Sequence, residues 1–383
     1  MWHGAKASVD CKIMCFYLPQ FHENEDNNRW WGKGYTEWNA VKESRPVLKG
    51  QKQPRHPLHG NYYDMGDETA TAWKWQAGLA EKYGVYGFSI YHYWFAGKKL
   101  LHKPVEILLR HPEIELRYNL CWDNNEWRRT WYRNKNENEI LMPQDYGDEE
   151  VWTRHFYDLL PYFQDERYIK LDNKPVFQIY QAIKIDCLPE MKKCWDKLAK
   201  RQGFDGIYVI AGNTATVRDE DIRGADAYYN FEPNRTTNQR YYSSEIGYWL
   251  EIKKIIDRFC KKRNWKYSGL HKRRAKTWYR LIIGERYRQI KPVYEGIFVG
   301  FDDTPRRRDD CTVYRGVTPK RFEKALKRLA LKALRNGRQF IYINAWNEWG
   351  ETAYLEPDEE YGYSFLESVG RTVAYLQKRT GDR

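Results

Sequence analysis

Short apolar runs rich in β-branched and aromatic residues recur along the chain, separated by segments long enough to form helices. Eight such runs are present, at residues 12–17, 87–91, 116–121, 175–180, 207–211, 225–229, 296–300 and 339–343. Strands that alternate with helices form parallel sheets, because a parallel pair needs a long crossover between its strands. Eight of them predict an α/β fold of the (β/α)8 TIM-like barrel type, and a doubly wound open sheet is the alternative.

Helical patterns lie between these runs, at residues 69–83, 149–163, 190–202 and 319–336. Gly84, Gly203 and Gly337 follow three of them, and glycine readily adopts the left-handed conformation that ends helices. The chain has 383 residues and no clear linker. We therefore predict one domain over residues 1–383, with long loops after the strands and a basic helical insertion at about 235–290.

The segment Asn344–Thr352, which follows the eighth run, carries the most chemistry. Glu348 and Glu351 stand three residues apart, and Trp346, Asn347 and Trp349 surround them. Two carboxylates, one acting as acid and one as base, are the minimal equipment for breaking a glycosidic bond. Tryptophan offers a flat apolar platform for a sugar ring, and asparagine offers donors and acceptors for hydroxyls. The alternative for this segment is a surface turn with two solvated acids.

Polar and aromatic side chains also cluster after most of the other predicted strands. In a (β/α)8 barrel the active site lies at the carboxyl ends of the strands, so these clusters are expected to meet. The aromatic content of 16% favours a cleft lined for stacking over scattered surface rings. Each candidate also has a structural interpretation, as a core histidine, a packed ring, a loop clasp or a turn cap. The candidates for substrate binding in these clusters are Tyr17, His22, Trp38, His92, Tyr93, Trp94, Trp122, Asn125, Glu126, Trp127, Glu232 and Asp302.

A formal net charge of +13 is concentrated in residues 253–288. The stretch is either a solvated helical excursion or a site of attraction to anionic lipid headgroups or a polyanionic substrate. No nucleic-acid-binding motif accompanies it, so nucleic acid is not an expected partner. The seven cysteines show no disulfide or zinc spacing, and no signal peptide or membrane span is recognisable. We therefore expect a cytoplasmic protein that can rest on the inner membrane surface.

Neither a metal nor a cofactor is predicted. The run Asp219-Glu220-Asp221 superficially matches the Asp-x-Asp metal motif of nucleotide-sugar transferases. A solvated helix start explains the same residues equally well. No Gly-rich phosphate loop accompanies the run, and no His/Cys/Asp arrangement has metal-ligand spacing.

Several long segments resemble the WbsX-like family. They include Phe16–His22, Trp30–Trp38, Tyr91–Phe95, Cys121–Trp127, Asp302–Arg306 and the stretch from Trp346 to Asp358. The resemblance runs from about residue 12 to residue 370 and is weak over 235–290. The family is associated with bacterial O-antigen, capsule and other surface-polysaccharide biosynthesis, including lipopolysaccharide. It is often labelled a glycosyltransferase, and it is similar to glycoside hydrolase family 99, whose members are (β/α)8 barrels.

The resemblance implies separate roles for the two acids. Glu348 would take the proton of the substrate's 2-hydroxyl, so that the 2-oxygen attacks the anomeric carbon and forms a 1,2-anhydro sugar. Glu351 would protonate the leaving oxygen and later activate water, with retention of configuration. Asn347 and Tyr342 are candidates to orient the base. The mannose-cleaving relatives usually carry histidine where this chain has Gly350, and this departure puts mannose specificity in question.

Three functions follow as hypotheses. The first is a retaining glycoside hydrolase or transglycosidase acting on a bacterial surface polysaccharide, or on an oligosaccharide precursor that can be lipid-linked. The second is a glycosyltransferase of surface-polysaccharide biosynthesis. The third is a glycan-binding protein without catalysis, whose carboxylates only hold hydroxyls.

Overall fold

Eight parallel strands close into a barrel in the computed structural model, which describes residues 11–131, 135–215, 219–220, 222–242, 271–287 and 290–381. Neighbours around the barrel follow the order β1-β8-β7-β6-β5-β4-β3-β2, and β2 pairs with β1 to complete the circle. The predicted barrel is thus confirmed, and the open sheet is excluded. The strands are β1 Lys12–Tyr17, β2 Gly87–Phe95, β3 Arg117–Trp122, β4 Lys174–Ile179, β5 Tyr208–Asn213, β6 Ala227–Asn230, β7 Val293–Phe298 and β8 Phe340–Asn344.

Helices cover the outside of the barrel, and the four predicted helices are among them. Gly84 has a φ of 73° and ends the first of these helices in the left-handed conformation, as its sequence position predicts. The described helices are Glu25–Trp31, Glu37–Lys42, Thr71–Tyr83, Lys103–Arg110, Glu149–Gln164, Leu188–Arg201, Asn234–Tyr242, Ala275–Gly284, Thr304–Arg307, Pro319–Arg335 and Ser364–Gly381.

Aromatic rings fill the barrel interior. The Phe16 ring lies 5.2 Å from that of Tyr229, 5.7 Å from Tyr342 and 6.0 Å from Tyr91. All four side chains are buried. Much of the high aromatic content therefore builds the core, where large rings contribute most to burial, and does not line a cleft.

Long loops at the carboxyl ends of the strands contain small hairpins. After β3, residues Trp127–Arg129 pair with Asn136–Met142, and after β8, Asn347–Glu348 pair with Ala353–Tyr354. Three short strands remain. Lys98–Leu100 pairs antiparallel with the end of β2, and Lys170–Leu171 pairs with β4. His271–Arg274 pairs with Thr312–Arg315.

The predicted basic insertion is described only in part. Residues 243–270 lie outside the described residues. Beyond them, Ala275–Gly284 is a helix that packs on the barrel: the Tyr279 hydroxyl donates to the Phe298 carbonyl at 3.1 Å. This part of the basic stretch therefore belongs to the helical layer between β6 and β7.

Candidate active site

A tight turn after β8 brings Glu348 and Glu351 together. The hairpin strand Asn347–Glu348 leads into a 3-10 turn, Trp349–Glu351, and Thr352 follows in the left-handed conformation with a φ of 49°. In a 3-10 turn, side chains three residues apart lie one above the other. The spacing of the two glutamates therefore places both on the same side of the turn.

The side-chain amide of Asn347 attaches the turn to the end of β1, because it pairs with both backbone groups of Leu18 as a neighbouring strand would. The Asn347 Oδ1 accepts from the Leu18 N–H at 2.8 Å, and its Nδ2 donates to the Leu18 carbonyl at 3.0 Å. The Trp346 N–H also donates to the Phe16 carbonyl at 2.8 Å. These bonds fix the position of Glu348 relative to the barrel.

Arg306 joins both acids. Its Nη2 donates to Glu348 Oε2 at 2.8 Å, and its Nη1 donates to Glu351 Oε1 at 2.9 Å. Its Nε donates to Glu37 Oε1 at 2.7 Å. One planar guanidinium thus serves three carboxylates that come from the loops after β1 and β8.

The Arg306 side chain is held from two further sides. It belongs to the short helix Thr304–Arg307 in the loop after β7, with Pro305 in its first turn, where proline needs no N–H donor. The ring of Trp131 lies 5.3 Å from its guanidinium carbon, a cation–π arrangement. With 11% of its side chain exposed, Arg306 is almost completely enclosed.

The two acids differ in environment. The Glu348 side chain is 7% exposed and that of Glu351 is 26% exposed. Burial raises the pKa of Glu348 to about 8; Arg306 opposes this rise, and the neighbouring Glu351 and Glu37 carboxylates add to it. Burial also raises the pKa of Glu37, against the attraction of Arg306. The site therefore contains one enclosed acid with a high pKa and one acid that opens toward solvent.

A fourth glutamate holds the two tryptophans beside the turn. Glu356 accepts from Trp346 Nε1 at 3.0 Å, Trp349 Nε1 at 2.6 Å, Gln76 Nε2 at 2.8 Å and the Tyr63 hydroxyl at 3.0 Å. Burial raises its pKa to about 7 although all four donors lower it. The two indole rings are thereby fixed beside the turn that carries Glu348 and Glu351.

Gly350 lies against the Glu37–Arg306 pair. A Cβ on residue 350 would collide with Glu37 Oε1 and would lie 2.6 Å from Arg306 Nε. A side chain at this position therefore requires the Glu37 carboxylate to shift. At the position where the resemblance would lead one to expect histidine, this chain thus has a glycine that leaves room for the Glu37–Arg306 pair.

Most of the predicted substrate-binding rings are packed into the core. Trp346 is 0% exposed and Trp349 is 1% exposed, so protein covers both faces of each ring. Most of the other predicted binding residues are equally enclosed, and internal partners satisfy their polar atoms. For example, His92 Nε2 faces His155 Nε2 at 3.0 Å. The predicted binding residues with less than a tenth of their surface exposed and internal hydrogen bonds are Tyr17, His22, Trp38, His92, Trp94, Trp122, Trp346, Asn347 and Trp349.

Two of the predicted acids, Glu232 and Asp302, accept hydrogen bonds from other side chains of the protein. Glu232 accepts from the Thr236 hydroxyl at 2.8 Å, and burial raises its pKa to about 7. Asp302 accepts from Gln51 Nε2 at 2.7 Å and also from Gln53 Nε2 at 3.1 Å. Both carboxylates hydrogen-bond to loops that surround the site.

The loop after β3 supplies the predicted residues that remain accessible. Asn125, Glu126 and Trp127 are half-buried. The Trp127 ring packs edge-on against Tyr93 at 5.1 Å, and Tyr93 is close enough to Glu348 and Arg306 to interact with their charges. These residues lie on the same side of the barrel mouth as the carboxylate pair.

Sequence reasoning missed several members of the site. Arg306 ends the Asp302–Arg306 motif, and the only sequence signal for its role is its position in the loop after β7. Tyr342, a candidate to orient the base, lies in the barrel core, and Arg306 contacts Glu348 directly. Tyr91 lies within electrostatic range of Glu348, and Tyr180 lies within range of Glu351. Burial raises the pKa of Asp123 to about 6, and its charge reaches Tyr93 and Tyr180.

A cavity of about 370 Å³ adjoins the turn at Thr352 and Asp302. Neither Glu348 nor Glu351 lines it, so this cavity lies beside the carboxylate pair and does not contain it. Over the described part of the chain, no cluster of His, Cys, Asp or Glu has the arrangement of a metal site. Arg306 provides the positive charge between the three carboxylates.

The structure thus defines a closed (β/α)8 barrel with paired carboxylates after its last strand. The chain belongs to the family described as Glycosyltransferase WbsX, whose model matches residues 13–369. Proteins named WxcX from two strains of Xanthomonas campestris pv. campestris are 29% and 30% identical to it over 96% of this chain. The chain spans 50% of the length of each of these relatives.

Solved structures share the fold. The family 99 endo-alpha-mannosidase from Bacteroides thetaiotaomicron aligns with a TM-score of 0.59 at 13% identity, covering 97% of this chain and 98% of its own. A protein described as glycoside hydrolase-like aligns with a TM-score of 0.55 at 15% identity, covering 95% of this chain and 94% of its own. None of the helices within the described ranges carries an apolar stretch long enough to cross a membrane.

Proposed function

We propose that the protein is a retaining glycoside hydrolase or transglycosidase that acts on a bacterial surface polysaccharide or its oligosaccharide precursor. The observation that carries this proposal is the Arg306 bridge, which holds Glu348 and Glu351 by one oxygen each. The second oxygen of each carboxylate is then available to a bound sugar. Oriented carboxylates on one side of a turn are what a two-acid mechanism needs.

The family resemblance supplies the order of proton transfers. Glu348 takes the proton of the 2-hydroxyl while the 2-oxygen bonds to the anomeric carbon. The bond to the leaving oxygen breaks, and that oxygen takes the proton of Glu351. Water or an alcohol then attacks the anomeric carbon and gives its proton to Glu351, while the 2-oxygen recovers its proton from Glu348. Both acids return to their starting state, and two inversions give retention.

Replacement of each acid by its amide tests this proposal. Glu348→Gln and Glu351→Gln should each lower the turnover of aryl glycosides by about 10²–10⁴-fold, the usual contribution of a positioned acid or base. Binding of the same glycosides should persist. Glu359→Gln is the control, because Glu359 is exposed on the same loop. If both amide variants turn over substrate as the wild type does, the assignment is wrong, and binding without turnover by the wild type would indicate a glycan-binding protein.

A glycosyltransferase that consumes a nucleotide-sugar is the second candidate, favoured by the family's description. Asp219, from the run that resembles a metal motif, accepts from the Ile290 N–H at 2.6 Å, just before β7 begins. The amino ends of the strands lie opposite the Glu348–Glu351 turn, so Asp219 is remote from the pair; Asp221 lies outside the described residues. A transglycosidase would fit both the hydrolase and the transferase descriptions, since the 1,2-anhydro sugar can react with an alcohol in place of water. Calorimetric binding of a nucleotide-sugar, with no turnover of any glycoside, would favour the transferase.

We also propose contact with an anionic surface, as a lipid-linked substrate at the inner face of the cytoplasmic membrane would require. Helices Ala275–Gly284 and Pro319–Arg335 form a groove of about 290 Å³ that no described acid lines. Tyr279, Ile283 and Ala325 provide apolar surface within it. The groove's cations are Lys276, Arg280, Arg321, Lys324 and Arg328.

Flotation with vesicles of phosphatidylglycerol and phosphatidylcholine tests this contact. Binding should weaken with salt and with Arg280→Glu combined with Lys324→Glu, because each basic residue near an anionic surface contributes roughly 1 kcal/mol. Lys193→Glu combined with Lys197→Glu, on another helix, is the matched control. Flotation that the first pair of changes leaves unaltered would refute the contact.

A further inference from the structure

Three loops of the barrel mouth converge on a single side chain. Arg306, after β7, uses Nε for Glu37 and its two Nη groups for Glu348 and Glu351, all at 2.7–2.9 Å. Glu37 lies in the loop after β1 and is 0% exposed. Its carboxylate faces Arg306 and not the open side of the site.

We propose that Arg306 is the positioning residue of this site, that its planar fork sets the relation between Glu348 and Glu351, and that Glu37 holds the fork in place. This inference rests on the proposed function. An Arg fork fixes two carboxylates at once because its donors are rigid relative to each other, whereas a lysine ammonium is a point charge on a flexible stem. Glu37 is bound through the third donor, so it orients Arg306 without touching a sugar.

The same arrangement has an electrostatic consequence for Glu348. Arg306 favours the ionised form of its carboxylate, and Glu37 and Glu351 favour the protonated form. Tyr91 and Tyr93 are the other titratable groups that face it. Removal of Arg306 and removal of the Glu37 charge should therefore move the titration of Glu348 in opposite directions.

Carbon-13 NMR of the glutamate carboxyl groups tests this in the full chain without any substrate. The Glu348 signal is assigned by its loss in Glu348→Gln. We expect Glu37→Gln to lower the pKa of Glu348 and Arg306→Gln to raise it, while Arg306→Lys, which keeps the charge, gives the smaller rise. Arg307→Gln is the matched control, because Arg307 is 45% exposed and pairs with Asp303.

Turnover provides the second measurement. On an aryl glycoside that the wild type cleaves, Arg306→Lys should lower kcat by roughly 100-fold with little change in KM, the cost expected of a misplaced catalytic group. A merely structural role would lower thermal stability in every variant and leave the kcat of folded Arg306→Lys near that of the wild type.

The outcomes separate this inference from the proposed function. If Glu37→Gln folds and leaves the Glu348 titration unmoved or raises it, the positioning role is overturned, whatever happens to Arg306→Gln. If the titration moves in both predicted directions but Glu348→Gln keeps full activity, the arrangement stands and the proposed catalysis fails.

Discussion

Asn347 and Leu18 are joined by two hydrogen bonds in which a side-chain amide takes the place of a neighbouring strand. The amide oxygen accepts the Leu18 N–H at 2.8 Å, and the amide nitrogen donates to the Leu18 carbonyl at 3.0 Å. These residues are 329 positions apart. The pairing closes the barrel mouth between its first and last strands, one residue before Glu348.

Asn347→Asp should damage both stability and activity. The carboxylate cannot donate to the Leu18 carbonyl and would be buried beside it, since residue 347 is 0% exposed. A buried group left unsatisfied costs about 1–3 kcal/mol, and more when it is charged. Urea unfolding measures the loss, with the exposed Asn138→Asp as control. Equal stability of the two variants would show that the Leu18 pairing contributes little.

The pH dependence of turnover distinguishes the roles of the two acids. Burial raises the pKa of Glu348 to about 8. A general base works only when ionised, so if Glu348 is the base, kcat/KM should rise with pH through this pKa. If Glu348 is instead the acid, a role that a high pKa suits, kcat/KM should fall over the same range. The first result supports the roles implied by the family resemblance, and the second exchanges them.

Gly350→His should displace the Glu37 carboxylate from Arg306, because a side chain at 350 collides with it. We expect a lower melting temperature and lower turnover. The penalty should be smaller in a Glu37→Ala background, since residues in contact give non-additive effects. Gly78→His, which meets nothing within 4 Å, is the control. Additive losses from Gly350→His and Glu37→Ala would indicate that the two positions act independently.

Glu356→Gln should destabilise the protein although it preserves size. Four donors converge on the two Glu356 oxygens, and the amide nitrogen of glutamine cannot accept from any of them. Two donors are left without an acceptor, so unfolding should require about 2–6 kcal/mol less. Differential scanning calorimetry at neutral pH measures the change, and exposed Glu359→Gln should leave the transition in place. A transition as high as that of the wild type would mean that the tryptophans do not depend on Glu356.

Local sequence signals predicted the barrel well. The strands and helices could be read because periodicity and capping depend on residues close in the chain. The turn with Glu348 and Glu351 could be placed for the same reason, since it directly follows the last apolar run. The burial of the tryptophans beside it could not be predicted, because their indole N–H groups donate to Glu356 and composition alone does not reveal that such a buried acceptor is present.

The sequence by itself determined the eight strands, the order of the loops and the position of the paired acids after β8. Only the tertiary structure decided which groups meet those acids. Arg306 is 42 and 45 residues from them and 269 residues from Glu37. Such partners become neighbours only when the barrel closes and brings the loops after β1, β7 and β8 side by side. The physical reason is that chain neighbours determine secondary structure, whereas charges and donors at the barrel mouth are paired by the folded geometry.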